Sequence, residues 1–220
     1  MEDRLTPALY AELCAFDASR YELERAPDLL GLEGVERVTW WRTEVPTRTD
    51  LEMEITGASL LGLAEVDERF RIPEPVDTSF AAHHFRRHPR PPQGILSGNA
   101  TRGLLVVWIT PTSKDRAQEL RDWGDFVHIR HIAAAGIEGF TQIAVYENCA
   151  AADPMFMHFY ELDTDDTETV FSSMAGIVAK RIGSPRTEAF QQWADYERAG
   201  GRLVHCNTYR LLGEMCRSSR

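Results

Sequence analysis

Arg25-Ala-Pro-Asp-Leu-Leu-Gly31-Leu-Glu33-Gly34-Val-Glu-Arg-Val-Thr-Trp-Trp41 is the stretch that decides the fold, because it returns later in the chain. Shifted by 105 residues it aligns without gaps on Arg130-His-Ile-Ala-Ala-Ala-Gly136-Ile-Glu138-Gly139-Phe-Thr-Gln-Ile-Ala-Val-Tyr146. Four of the 17 positions are identical, including the G-[LI]-E-G core, and apolar positions agree at Val35/Phe140, Val38/Ile143 and Trp40/Val145. Glycine accepts left-handed backbone angles and so ends a helix cheaply. Two glycines three apart predict a tight turn from helix to strand. Each turn is followed by a strand, a polar loop and a second strand closing on E-[VL]-D, at Glu65-Val66-Asp67 and Glu161-Leu162-Asp163. An internal repeat is therefore expected.

The later copy reads clearly. The run Gly103-LLVVWIT suits a buried strand, and Thr112-Ser113 cap a helix over about 114–135. On that helix Leu120, Gly124, Val127 and His131 form one stripe toward the sheet. Strands are predicted at about 140–147 and 155–162, helices after Asp163-Thr-Asp-Asp and over about 186–198, and a last strand at about 203–212. The order is β-α-β-β-α-β. The earlier copy is degraded. Pro7-ALYAELCAF fits strand or helix, the first helix is about ten residues shorter, and the two prolines of Arg71-Ile-Pro-Glu-Pro oppose a second helix. A late strand lies near Ala81–Arg86. The expected division is 1–88, a Pro-rich linker at 89–102, and 103–213.

Of 220 residues, 43% are hydrophobic, enough for a core, and the net charge of −10 disfavours phosphate backbones as partners. The basic stretch His83–Arg90 reads as a strand end running into the linker. Cys14, Cys149, Cys206 and Cys216 are scattered without CxxC, as free thiols of a reducing compartment are. The acidic start MEDRLTPALYAEL has no apolar signal core, and no apolar run approaches a membrane span. A cytoplasmic protein without nucleic-acid or membrane partners is the expectation.

The segment Asp122-Trp-Gly-Asp-Phe-Val-His-Ile-Arg-His131-Ile-Ala-Ala-Ala-Gly-Ile-Glu-Gly139-Phe140 resembles the helix-turn-strand of EthD-like proteins, where a histidine on an aromatic-rich helix precedes a Gly-Phe turn. Here eight residues separate His131 from Gly139, against about nine in that family. The resemblance covers about 101–213 well and 20–88 weakly. It implies the dimeric α/β-barrel superfamily: α+β, with two fused ferredoxin-like βαββαβ repeats making a pseudo-dimeric barrel, and pairing of chains into a homodimer. Superfamily members include cyclases, cofactor-free monooxygenases, isomerases, dehydratases and haem proteins, so fold does not fix function.

Strand alternation then sorts side chains by face. Gln142 and Tyr146, His158 and Tyr160, and His205 and Asn207 are the polar parities of three strands. Were they on one sheet face, they would line a pocket for a small molecule, the expected ligand or substrate; a solvated face is the alternative. His131 would meet that face as acid or base, with Tyr146, His158 or Tyr160 polarising a carbonyl or hydroxyl. His128 stands three residues after Asp125 and would pair with it, and Trp123 packs or stacks on a ligand. Gly62 and Ala64 occupy the places of His158 and Tyr160 in the first half, so only one such centre is expected. His83 and His84 point to opposite faces, and no HExxH, GxSxG, P-loop or Rossmann glycine pattern is present. Three readings result: a cofactor-independent lyase, isomerase or cyclase acting on an apolar aromatic or polyketide-like compound; a non-catalytic small-molecule-binding or stress-response protein; and, from the resemblance, a haem protein with His131 or His128 as axial ligand.

Overall fold

The two glycine turns are built alike. Gly34 and Gly139 sit at φ +79° and +93°, a region that glycine adopts at little cost and that strains other residues. A side chain at Gly34 would strike Asp67 and the backbone of Phe70, and one at Gly139 would crowd Thr164 and Val170. The carbonyl of each glycine accepts from the Asp that closes the E-[VL]-D strand: Asp67 N to Gly34 O at 2.8 Å and Asp163 N to Gly139 O at 3.0 Å. The two motifs found in sequence thus grip one another in each half.

The computed structural model describes residues 6–74 and 79–217. Its strands are β1 (Ala8–Cys14), β2 (Val35–Arg42), β3 (Leu60–Val66), β4 (Ser79–Arg87), β5 (Gly103–Pro111), β6 (Phe140–Asn148), β7 (Phe156–Leu162) and β8 (Gly201–Cys216). They close one antiparallel barrel in the order β1-β3-β2-β8-β5-β7-β6-β4. The order within each half is the same, β4-β1-β3-β2 and β8-β5-β7-β6, and the halves join at β2–β8 and β4–β6. The opening segment is strand: both parities of ALYAELC are apolar enough to mimic a helix, but the strand buries Leu9, Ala11 and Leu13 in the barrel and Tyr10 and Cys14 outside it.

The helices lie outside. In the first half they are α1 (Ala18–Arg20), a π turn at Tyr21–Arg25, and α2 (Ala26–Gly31). In the second they are a 3-10 turn at Lys114–Arg116, α3 (Ala117–Trp123), a π turn at Gly124–Ile129 and α4 (Arg130–Ala135), then α5 (Thr167–Ile182) and α6 (Glu188–Ala194). Among the described residues no helix separates β3 from β4. Three cores result. The barrel interior holds side chains from all eight strands, Trp108, Phe85, Tyr146, Met157 and Tyr209 among them. One outer layer packs α1–α2 on the first half's sheet and another packs α4–α6 on the second's, while a small cluster seats Leu120 of α3 against Ile109 and Phe156.

Candidate functional site

Register fixes which side chains meet. On β7, Phe159 and Met157 pair with Val106 and Trp108 and point into the barrel, while Tyr160 and His158 pair with Leu105 and Val107 and point to the helices. Gln142 and Tyr146 of β6 and His205 and Asn207 of β8 are on the barrel-facing parity. The expected single polar face does not exist. Inward and outward parities swap between adjacent strands because pairing register, not residue type, sets the face. Tyr146 is buried with its hydroxyl on Thr6 O at 3.1 Å. Gln142 is half-buried at the barrel rim.

His131 is also displaced. A π turn inserts one extra residue, rotating everything after it by about 100°. The buried stripe therefore runs Leu120, Gly124, Ile129, Ile132, while His131 is half-exposed beside Arg130 and Arg181. The same rotation brings His128 inward. Its ring stacks on Trp193 (centroids 5.2 Å apart, 8° between planes) and lies tilted by 32° against Trp123 (4.8 Å). His128 Nδ1 donates to Trp193 O at 2.9 Å, and Trp193 Nε1 donates back to His128 O at 3.1 Å. The expected Asp125–His128 pair is not formed: Asp125 binds Arg90 from the linker, whose guanidinium also covers Phe126. Trp193 carries no motif; only its i,i+3 spacing from Phe190 marked a buried helix face.

His158 lies directly under the π turn. A side chain at Gly124 would come within 2.9 Å of its ring, so the glycine makes room for the histidine. The first half solves the same contact in reverse: Gly62 on β3 makes room for Tyr21 of the π turn, whose hydroxyl would collide with a Cβ there. Burial pushes His158 down to about 3, with His128 adding to the shift, and burial pushes His128 down to about 4. Both imidazoles are neutral at pH 7. Two residues further along the same face, about 7 Å away, Tyr160 is fully buried and its hydroxyl has no hydrogen-bond partner. Burial raises Tyr160 far above the usual phenol range.

Inside the barrel a second polar chain is complete in itself. Tyr209 OH donates to His205 Nε2 at 2.7 Å and His205 Nδ1 donates to Ile55 O at 3.0 Å, so His205 is neutral, and burial depresses it to about 4. Histidines with depressed folded values bind protons more readily when unfolded. Their contribution is whole above about pH 6.5 and is lost as the pH falls from there toward about 4. Stability to urea should therefore drop between pH 6.5 and 4. Replacing both buried rings in His158→Phe/His205→Phe should flatten that slope, by about 1 kcal/mol or more per pH unit for each ring. An unchanged slope would contradict the assignment.

Haem does not fit these residues. His131 faces arginines at the surface, His128 has its Nδ1 on Trp193 O and its ring against the indoles of Trp193 and Trp123, and Leu105, Tyr160, Leu162 and Val178 pack together between helices and sheet. Among the described residues no three His, Cys, Asp or Glu side chains are grouped to hold a metal. No described helix is long and apolar enough to cross a membrane.

No family model and no curated protein matches the sequence. Solved structures do match in fold. An anthrone oxidase-like protein superposes with a TM-score of 0.56 at 12% identity, covering 95% of this chain and 92% of that one. A mutant chlorite dismutase from Candidatus Nitrospira defluvii gives 0.52 at 10%, covering 94% and 91%. A monooxygenase-like protein from Fusobacterium nucleatum gives 0.50 at 7%, covering 97% and 95%. The likeness is one of fold: the closed eight-stranded barrel of this chain superposes on these structures over nearly its whole length.

Proposed function

We propose that the protein is a cofactor-independent enzyme of lyase, isomerase or cyclase type. Leu105, Leu162 and Val178 pack around Tyr160 in the closed structure, so its substrate, a small, largely apolar aromatic or polyketide-like compound, enters between the helices and the second half's sheet only when this packing opens. The observation that carries this reading is the Tyr160 hydroxyl, fully buried and unpartnered on the same strand face as His158. An unsatisfied buried hydroxyl costs about 1–3 kcal/mol, which a ligand oxygen would offset. In this mechanism Tyr160 donates to a carbonyl oxygen as charge develops on it. His158 takes the proton from the adjacent carbon and returns it to the product, the enolate oxygen held by Tyr160 offsetting the cost that burial imposes on the imidazolium. The roles expected of His131 and of a shared face with Gln142, Tyr146, His205 and Asn207 fall away; Trp123 and His128 become the aromatic wall.

The test begins with aromatic ketones, anthrones first because one structural neighbour is named for anthrone oxidation. Tyr160→Phe loses no bond within the protein, so it should fold normally, yet lower kcat on the compound found by about 10²–10³. Full turnover in that variant would sink the mechanism. The dense packing around His128 favours a second reading, a non-catalytic binder; there Tyr160→Phe would weaken affinity and no compound would turn over.

We also propose that the halves are fused ferredoxin-like repeats divided at 89–102, the second of EthD-like type. The common strand order, the matching Gly–Asp bonds and the paired π turns support this.

A further inference from the structure

The β8 strand is paired unevenly. β5 runs along Gly201–Arg210, but on the other side β2 takes only Arg210–Cys216. The edge over 203–209 is covered by residues 43–59, which connect β2 to β3. Their neck is closed by Thr43 N to Ser59 O (3.2 Å), and Gly57 N bonds Pro46 O (2.7 Å), giving a loop whose ends meet. The loop bonds the edge through Ile55 N to Val204 O, Cys206 N to Met53 Sδ, and Asn207 Nδ2 to Val45 O. Leu51 and Met53 pack on the outer core that contains Tyr160 and Cys206.

One residue fastens it. The Arg48 side chain is 5% exposed and binds Glu168 at the start of α5 with two nitrogens, at 2.8 and 3.1 Å. It also binds Asp50 and Asn207 Oδ1 and lies 4.4 Å over the Phe171 ring. Glu168 accepts from Thr208 as well. A buried cation from the first half thus ties this loop to the second half, and the loop's apolar contacts are Leu51 and Met53 on the outer core and Ile55 and Ala58 on the barrel core. A connecting loop held by a few side chains and its end bonds opens locally at lower cost than the fold unfolds.

We propose that residues 43–59 are a hinged strap, latched by Arg48 to Glu168, and that its release opens the space containing Tyr160. Calling that space the site rests on the function proposed above; the strap itself does not. With the latch closed, Cys206 is buried beneath Met53, and burial pushes its thiol up to about 12. It is a reporter of opening. Cys14, buried in the other outer core, reports global unfolding.

The experiment is maleimide labelling of the full chain at neutral pH, with exposed Cys149 and Cys216 replaced by serine. Arg48→Ala and Glu168→Gln are each read by mass spectrometry of the Cys206 and Cys14 peptides. The expected result is at least a tenfold faster modification of Cys206 with Cys14 unchanged. Equal rates with and without the latch, or acceleration of both cysteines together, would overturn the strap. If Cys206 responds but Tyr160→Phe leaves ligand binding and turnover unaltered, the site reading fails and the strap stands.

Discussion

Glu12→Ala should cost about 3–5 kcal/mol of folding stability, the expected range for breaking one partner of a buried ion pair. Glu12 is buried between β1 and the first π turn. Its carboxylate accepts from Arg25 Nε at 3.1 Å and Nη2 at 2.7 Å, and from Tyr21 OH at 2.7 Å. Burial works against the Arg25 charge, but the bonds from Glu12 more than compensate and raise its pKa. Removing the carboxylate alone strands that cation. Replacing both charges together, as Glu12→Leu with Arg25→Met, should recover most of the loss, because no charge is then left unpaired. Urea unfolding followed by tryptophan fluorescence gives both values as midpoint shifts at constant slope. A single variant shifted by less than about 1 kcal/mol would show that the cluster is wetter than its geometry.

Trp108→Ala should be comparably severe, at about 3–5 kcal/mol, the usual cost of emptying an aromatic site in a core. Trp108 is fully buried in the barrel, against His83 at 5.2 Å, Phe85 at 5.7 Å and His205 at 5.9 Å between ring centroids. Its indole nitrogen donates to nothing. Trp108→Phe therefore gives up volume but no hydrogen bond, and should lose less than half as much. If phenylalanine were as damaging as alanine, the ring nitrogen would be holding a water in the barrel, and the loss would be of that bond.

Sequence patterns carried much of this architecture. The helix expected over 114–135, the strands at 140–147 and 155–162, and the paired glycine turns all appear, because each rests on local chemistry: periodicity, capping, and angles that only glycine takes up. The split of His83 and His84 to opposite faces also holds, since alternation needs only the strand. The site was less legible for two physical reasons. The π turn at Gly124–Ile129 leaves no mark in composition, yet it rotates His131 away and His128 in. Likewise, alternation sorts side chains within a strand, while the face that each parity takes is set by pairing across the barrel. His158 and Tyr160 do share one parity of their strand, but it faces the helices, with other neighbours than those expected. Arg48 lies in what reads as an ordinary polar loop, and its burial depends on an unpaired edge 150 residues away that no local pattern reveals.

The two joins between halves have a consequence for how the chain must be inherited. Either half alone would present two bare strands, β2 and β4 in one case, β6 and β8 in the other, each a template for unwanted pairing. Joined in one polypeptide, the halves reach one another at a local concentration that separate chains could not match. Residues 88–102, which connect β4 to β5, are then a concentration device. They allow the two halves to differ, with Gly62 in one where the other has His158, without either having to recognise a copy of itself.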